Sequence, residues 1–431
     1  MDASPLVKIL LVFGGVLLLT RFKLHLGIAL LLGGLSLQLW TGRTLPHVLA
    51  SLGDALATAE LWLLLVITAL IFEYGRHMAE ERNAQAIMGA ARAWGGRHGR
   101  TLGLMAIPAA IGLVPMPGGA LFSAPLVDQT APESHWSPTW KATVNYWFRH
   151  TWEYWWPLFP VVIVSVSIFD IGIGPFILIQ MPLSLAVLVS GYWVLIRPHL
   201  AELAQPPAQS ATEPNRIWRV ALPLSIVVIC TLIGPRVIGW IHPAPGQQTR
   251  TLLAMIIGLF IGLIPLLRDS GAGATRAFLT RLTEPKALSL LATIAGVILF
   301  KNLLDASELL PLAGEQLLRS GIPPVLIIIV LPLVAGLVTG IAIGFAGIAF
   351  PLLAGLVSGT EGSPGIAATL VLGFACGYAG MMWSPIHLCF VLTRGYFGAP
   401  IAPVLRGVIR CSILPLLVAG LMYFLLAYTG W

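Results

Sequence analysis

The chain has 431 residues, of which 57% are hydrophobic and 10% are charged, with a net charge of +7. Soluble domains carry about 25% charged residues, so this composition, with a mean hydropathy of +0.88, excludes a soluble enzyme, a nucleic-acid-binding protein and a secreted disulfide scaffold. Because about 20 apolar residues cross a bilayer, the apolar content predicts an all-α polytopic membrane protein with roughly ten to twelve crossings.

Ten apolar segments are predicted to be transmembrane spans. In chain order they are 6–20, 24–40, 61–77, 141–169, 171–196, 218–240, 252–267, 287–304, 367–394 and 407–428. The spans 141–169 and 367–394 contain Pro157 and Pro385, which remove helical hydrogen bonds. These two spans are therefore predicted to be broken helices.

Two further apolar segments, 102–127 and 324–357, are each long enough for two short helices and carry Gly and Pro near the middle. Such segments are typical of re-entrant hairpins, which enter and leave the membrane by the same face. The distribution of basic residues then orients the chain. With the N-terminus in the periplasm, 18 Lys and Arg residues lie inside and 5 outside, as the positive-inside rule predicts for a bacterial inner-membrane protein.

An internal repeat relates the two halves at an offset of 226–228 positions. Pro125 falls on Pro351, and Pro157 falls on Pro385. The repeats are 1–197 and 216–431, joined by a polar cytoplasmic linker at 198–215. Each holds five spans and one hairpin, an odd number of crossings, so the second copy must be inverted. Paired interrupted segments in inverted repeats predict a secondary transporter with its site at the repeat interface.

The hairpin tips are candidates for binding a small solute, because glycine lets the backbone approach a ligand and a half-helix N-terminus attracts anions. The candidate residues there are Gly118, Gly119, Ser123, Thr339, Gly344 and Gly347. The alternative is close helix packing through small residues.

The broken spans supply ionisable candidates, which are costly in lipid and therefore functional by default. They are Arg149, His150, Glu153, Ser384 and His387. Arg149 can hold a carboxylate or phosphate through its planar fork. The alternative is an interfacial aromatic belt with a snorkelling arginine.

Coupling to Na⁺ or H⁺ is assigned to Asp128, Ser123 and Gly340. Asp128 can equally cap a helix at the inner surface. The four cysteines lack paired spacing and are interpreted as small buried hydrophobic residues, and no metal or other cofactor is predicted. Glu73 and Lys301 occupy equivalent repeat positions and are assigned a structural role, either pairing with each other or capping their own spans.

Motifs for ATP hydrolysis, zinc proteolysis and serine hydrolysis are absent from the sequence. The chain is therefore predicted not to be an enzyme. An intramembrane lipid-modifying enzyme that uses His150 with Glu153 or Asp128 is the alternative from another class.

The motifs 115–125 (PMPGGALFSAP) and 145–150 (NYWFRH) resemble the ion-transporter superfamily, which includes arsenite permeases, divalent anion:sodium symporters, gluconate permeases and TRAP transporter large subunits. The nearest resemblance is to domain-of-unknown-function family 401. It implies a homodimer and an elevator mechanism, with a scaffold and a moving transport domain. The better-known relatives carry Ser-Asn-Thr at both hairpin tips. This chain has Ser123-Ala-Pro and Ala349-Phe-Pro there, which does not support their dicarboxylate and sodium sites.

The sequence thus predicts a homodimeric transporter in the lipid bilayer that moves a small anionic organic solute with Na⁺ or H⁺ and binds no nucleic acid. Two alternatives within transport remain open. One is a cation/proton antiporter centred on Asp128 and Glu153, and the other is a transporter of an amphiphilic or lipid-linked substrate, suggested by the tryptophans of 147–156.

Overall fold

The computed structural model describes residues 4–78, 80, 83, 85–86, 99–113, 119–132, 135–203, 218–268, 278, 280–357 and 364–429. Within these residues the regular secondary structure is entirely helical, which confirms the predicted all-α class. The tip of the first predicted hairpin, including Gly118, and most of the predicted linker lie outside the described residues.

The helices that the structure describes before residue 204 follow in chain order. They are α1 (Pro5–Arg21), α2 (Leu26–Trp40), α3 (Leu45–Ala57), α4 (Ala59–Met78), α5 (Gly99–Gly112), α6 (Ala120–Thr130), α7 (Pro138–Arg149), α8 (Pro160–Ile168) and α9 (Ile173–Gly191). α9 runs on through a π-helical turn, Tyr192–Ile196, and further helical turns to Leu203.

The helices that the structure describes after residue 217 also follow in chain order. They are α10 (Trp218–Ile241), α11 (Gln247–Arg268), α12 (Pro285–Asp305), α13 (Leu309–Arg319), α14 (Pro324–Thr339), α15 (Ala342–Val357), α16 (Ile366–Trp383), α17 (Leu388–Phe397) and α18 (Ile401–Thr429).

Seven segments of the described chain are long and apolar enough to cross a membrane. They are Ala59–Met78, Ile173–Leu203, Ala221–Ile241, Gln247–Leu267, Pro285–Asp305, Ile366–Phe397 and Ile401–Tyr428. The first two predicted spans are the shorter helices α1 and α2, of 17 and 15 residues. The chain is therefore a multi-pass, membrane-type helical protein.

Burial separates central from peripheral helices. In the segment Ile366–Phe397, 89% of the most apolar window is buried, against 28% in both Ala221–Ile241 and Ile401–Tyr428. In α7, every residue from Lys141 to Arg149 is buried. The two interrupted helix pairs, α7/α8 and α16/α17, therefore occupy the centre, while α10 and α18 present large apolar side chains outward, as lipid contact requires.

Two helical hairpins pack against this centre. α14 and α15 pack on each other and on α16, and α5 and α6 pack on each other and on α7. α14 ends because Gly340 adopts a left-handed conformation with φ of +66°, which favours glycine. The chain then resumes as α15 at Ala342.

α2 and α12 make one of the closest helix contacts. A Cβ atom at Gly27 would overlap the backbone carbonyl of Ala292, and one at Gly296 would overlap the backbone of Gly27. Small residues allow helix backbones to approach in this way, and the gain is van der Waals contact along the whole crossing.

Gly27→Ala is expected to destabilise the protein by about 1–3 kcal/mol, because the added methyl group forces α2 and α12 apart. Gly14→Ala in the neighbouring helix α1 is the matched control, since a Cβ there meets no atom within 4 Å and alanine favours helix. Thermal unfolding of the detergent-purified proteins measures the difference, and equal melting temperatures for the two variants would contradict the packing argument.

Candidate functional site

Two helix interruptions meet at the centre of the protein. α7 ends at Arg149 and α8 begins at Pro160, while α16 ends at Trp383 and α17 begins at Leu388. Each interruption contains a proline, which lacks the amide hydrogen that a continuous helix needs. Backbone carbonyls at both helix ends are therefore left without helical partners.

Buried tyrosines bind these carbonyls reciprocally. Tyr378 of α16 donates its hydroxyl hydrogen to the carbonyl oxygen of His150 at 2.6 Å. Tyr146 of α7 donates to the carbonyl oxygen of Met382 at 3.2 Å. Buried backbone polar groups must be satisfied, so each interruption is held by a side chain from the other broken helix.

A pair of histidines joins the two interruptions. The Nε2 atoms of His150 and His387 lie 3.1 Å apart, and both residues are buried. The Nδ1 atom of His150 lies 2.6 Å from the carbonyl oxygen of Tyr146, and that of His387 lies 2.6 Å from the carbonyl oxygen of Gly340. Because a carbonyl oxygen only accepts hydrogen bonds, both Nδ1 atoms carry a hydrogen.

Two charged side chains lie beside the histidines. Glu153 Oε1 is 3.8 Å from an Arg149 terminal nitrogen and 3.8 Å from His150 Nε2. The Arg149 and Glu153 side chains are only 2% and 8% exposed. Ionisable groups withdrawn from water cost several kcal/mol unless they are compensated, and the closeness of Glu153 to Arg149 and His150 offsets part of that cost.

These residues line a cavity of about 520 Å³. One part of its wall consists of Arg149, His150, Glu153, His387 and Cys389. Most of the remaining wall is apolar, contributed by Ile71, Phe72, Phe159, Val161, Leu290, Ile341, Ile343 and Leu388. The volume falls within the range of about 300–1,000 Å³ that is typical of small-molecule sites.

The predicted hydroxyl residues bond to nearby backbone and lie outside this wall. Ser123 donates to a carbonyl three residues earlier at 3.3 Å, and Thr339 donates to one four residues earlier at 2.7 Å. Ser384 donates to the Leu337 carbonyl of α14 at 2.7 Å. The hydroxyls of Ser123 and Thr339 thus bond within their own hairpins, and that of Ser384 joins the second interruption to α14.

The predicted hairpin glycines that the structure describes are buried, and some of them make tight contacts. Gly119 is buried immediately before α6. A Cβ at Gly344 would overlap the Thr339 side chain, and one at Gly347 would overlap Val297 of α12. Gly344 and Gly347 thus make the close packing contacts of small residues that were the alternative to ligand binding. Gly340 differs, because its carbonyl oxygen accepts a hydrogen bond from His387.

Asp128 lies away from the cluster. It forms an ion pair with Lys141, with 2.7 Å between Oδ1 and Nζ, and its side chain is 46% exposed. Glu73 and Lys301 do not meet each other either. Glu73 pairs with Arg281, and Lys301 lies 3.0 Å from Glu60 Oε1. Both pairs fasten helices, in agreement with a structural role.

Sequence reasoning missed three residues of this site: Tyr146, Tyr378 and Cys389. The tyrosines were indistinguishable from apolar core residues, and Cys389 stands 239 positions after His150 without any paired spacing. Its position two residues after His387, at the start of a helix that follows a break, was the one available signal.

The fold and site together define a membrane-type helical protein with a cavity that is lined in part by buried ionisable side chains. The chain matches the family model described as protein of unknown function (DUF401) over residues 4–241 and 253–426. It therefore belongs to this family. Comparison with curated proteins gives no match, and the resemblance to the larger ion-transporter superfamily stays a prediction.

Tyr378→Phe is expected to lower the stability by about 1–3 kcal/mol, because it leaves the His150 carbonyl buried without a donor. Tyr428→Phe is the control, since Tyr428 is 93% exposed. Thermal unfolding in one detergent compares the two proteins. A Tyr378→Phe protein as stable as the control would show that this bond does not hold the first interruption.

Proposed function

We propose that this chain is a secondary active transporter that carries a small organic anion across the bacterial inner membrane, coupled to Na⁺ or H⁺. The observation that carries the proposal is the buried guanidinium of Arg149 in the wall of the 520 Å³ cavity. A charge in that position is costly, and a passing anion is the ligand that it suits.

The charges of the cavity wall favour an anion over a cation. Arg149 and Lys286 are its basic residues, and Glu153 is its acidic one. Lys286 stands in the first turn of α12, at the end predicted to be cytoplasmic. Under that orientation the cavity faces the cytoplasm, and Lys286 lies at its mouth while Arg149 lies within.

The apolar part of the wall narrows the substrate class. Phe72, Phe159 and Ile343 border the same space as Arg149, so a carboxylate or sulfonate with an apolar body would bury both of its ends favourably. This favours the amphiphilic-substrate alternative over a small, fully hydrated anion. The proposed substrate is therefore an organic anion with an apolar portion.

We further propose that the two halves are inverted repeats. Each half runs through spans, a hairpin, an interrupted helix and a final span in the same order. Trp152 Nε1 donates to the Ala109 carbonyl at 2.8 Å, and Ser384 donates to the Leu337 carbonyl at 2.7 Å. These two carbonyls stand 228 positions apart, at the offset found in the sequence.

Reciprocal packing supports the same symmetry. α6 of the first hairpin packs on α17, and α15 of the second hairpin packs on α8. In the proposed elevator mechanism, the hairpins and interrupted helices form the moving domain and α4 and α12 belong to the scaffold. The cavity lies between these two groups, as an elevator would require. A homodimer would hold the scaffold still in the membrane.

Arg149→Ala is expected to weaken anion binding by about 10–100-fold, the loss of a charged hydrogen-bond partner of about 1.5–3 kcal/mol. Wild-type protein in detergent is first screened by thermal unfolding against alkyl and aromatic carboxylates and sulfonates, with Na⁺ or choline and at two pH values. A ligand of the folded state raises the melting temperature, and proteoliposome uptake of that anion follows.

Arg149→Lys keeps the charge but not the fork, and Arg319→Ala removes an arginine whose side chain is 83% exposed. Arg319→Ala should leave uptake close to that of the wild type. Arg149→Lys should lower uptake, and Arg149→Ala should lower it most. A folded Arg149→Ala protein with unchanged anion affinity would overturn the anion site. A shift with cations or pH alone, and none with any anion, would favour antiport.

A further inference from the structure

We propose that His150, His387, Cys389 and Glu153 form a binding site for a divalent transition-metal ion of the Zn²⁺ type, which joins the two helix interruptions. One donor atom from each of the two histidines and the cysteine lies within 4.8 Å of the others, and all three residues are buried. The site does not depend on the proposed transport activity.

The hydrogen bonds of the histidines carry the argument. Both Nδ1 atoms carry their hydrogen because both face a backbone carbonyl at 2.6 Å. In neutral imidazoles, both Nε2 atoms then have lone pairs, yet they lie 3.1 Å apart. Two lone pairs at that distance repel each other unless an electrophile lies between them, and a metal ion can accept both.

The outer contacts are those of metal-binding histidines. A ligating histidine almost always donates its other ring N–H to a carbonyl or carboxylate, which fixes the ring and its tautomer. His150 and His387 both do so, through carbonyls at the end of α7 and at the Gly340 turn. Each ring is thus already oriented with Nε2 toward the other.

The spacing matches a tetrahedral ion. Zn–N bonds of about 2.0–2.1 Å separate two ligating nitrogens by about 3.3 Å, close to the observed 3.1 Å. A thiolate and an imidazole on the same ion lie about 3.6 Å apart, so Cys389 is within reach. Glu153 Oε1, 3.8 Å from His150 Nε2, is placed to supply the fourth ligand.

Charge and ligand type select the metal. A divalent ion bound by the Cys389 thiolate and the Glu153 carboxylate has no net charge, which lowers the cost of its burial. Thiolate and imidazole ligands favour Zn²⁺ over Mg²⁺ and Ca²⁺, which prefer oxygen. Arg149, 3.8 Å from the Glu153 carboxylate, would then orient that ligand and still face the cavity.

Metal analysis of the wild-type protein is the first test, with any affinity tag removed. Inductively coupled plasma mass spectrometry should find one Zn²⁺ per chain after purification without chelators. After chelator treatment, added Zn²⁺ should raise the melting temperature, and Mg²⁺ should not. Co²⁺ should give the near-ultraviolet charge-transfer absorption of a thiolate–cobalt bond.

Cys389→Ser should abolish that absorption and weaken Zn²⁺ binding at least about tenfold. Cys376→Ser is the matched control, because Cys376 is also buried but stands outside the cluster. The proposal would be overturned if the wild-type protein bound no Zn²⁺, gained no stability from Zn²⁺ and gave no cobalt–thiolate band. A proton shared between the two histidines would then be the remaining explanation of their contact. Equal loss in the Cys376→Ser protein would also overturn it.

Arg149→Ala separates this site from the proposed function. At saturating Co²⁺ the variant should still give the charge-transfer band, because the Cys389 thiolate produces that band and Arg149 only orients Glu153. Normal metal binding with no anion binding in the wild-type protein would refute the transport proposal and leave the metal site standing. Anion uptake by a protein that never binds metal would refute the metal site and leave the transport proposal standing.

Discussion

The structure depends on one requirement: backbone groups released by helix interruptions must find partners in an interior that water does not reach. The interruptions of α7/α8 and α16/α17 lie among buried residues, where each open carbonyl would cost several kcal/mol. The hydroxyls of Tyr146 and Tyr378 meet this cost by crossing to the other interrupted helix. The two interruptions are therefore one structural unit. If either broken helix lost its tyrosine hydroxyl, a carbonyl of the other interruption would stay buried without a donor.

This unit also explains the placement of the ionisable side chains. Helix ends free the chain from helical periodicity, so consecutive residues can face the same space. Arg149, His150 and Glu153 all line the cavity, although the adjacent residues Arg149 and His150 would point about 100° apart in a continuous helix. An interruption thus concentrates charge at one point, and the same geometry makes that point suitable for a ligand.

The sequence predicted the helical membrane class from hydropathy alone, and the structure and the family match confirm it. It also named Arg149, His150, Glu153 and His387, because ionisable residues in apolar spans are conspicuous.

Contacts between distant segments could not be predicted in this way. The pairing of His150 with Cys389 joins segments 239 positions apart, and a buried tyrosine gives no sign in the sequence of which carbonyl it will meet. Asp128 was selected by its nearness to a hairpin, but Lys141, one helix later, holds it at the surface. Repeat symmetry and transport remain predictions, since both concern relations and motions that hydropathy does not encode.

The polar contacts of the structure set a condition on the proposed elevator movement. Within the proposed moving domain, His387 donates to the Gly340 carbonyl, His150 donates to the Tyr146 carbonyl, and the two rings meet at their Nε2 atoms, so the second hairpin and both interruptions would travel as one body. Glu60 of α4, however, accepts a hydrogen bond from Ser167 near the end of α8. Glu60 also forms an ion pair with Lys301 of α12. Any sliding of α8 past α4 must break the contacts that Ser167 makes with Glu60, Gln248 and Lys301, while the Glu60–Lys301 pair within the scaffold can persist. The scaffold charge would then stay compensated throughout the movement, so the exchange of these contacts at Ser167 would cost less than the separation of two buried charges.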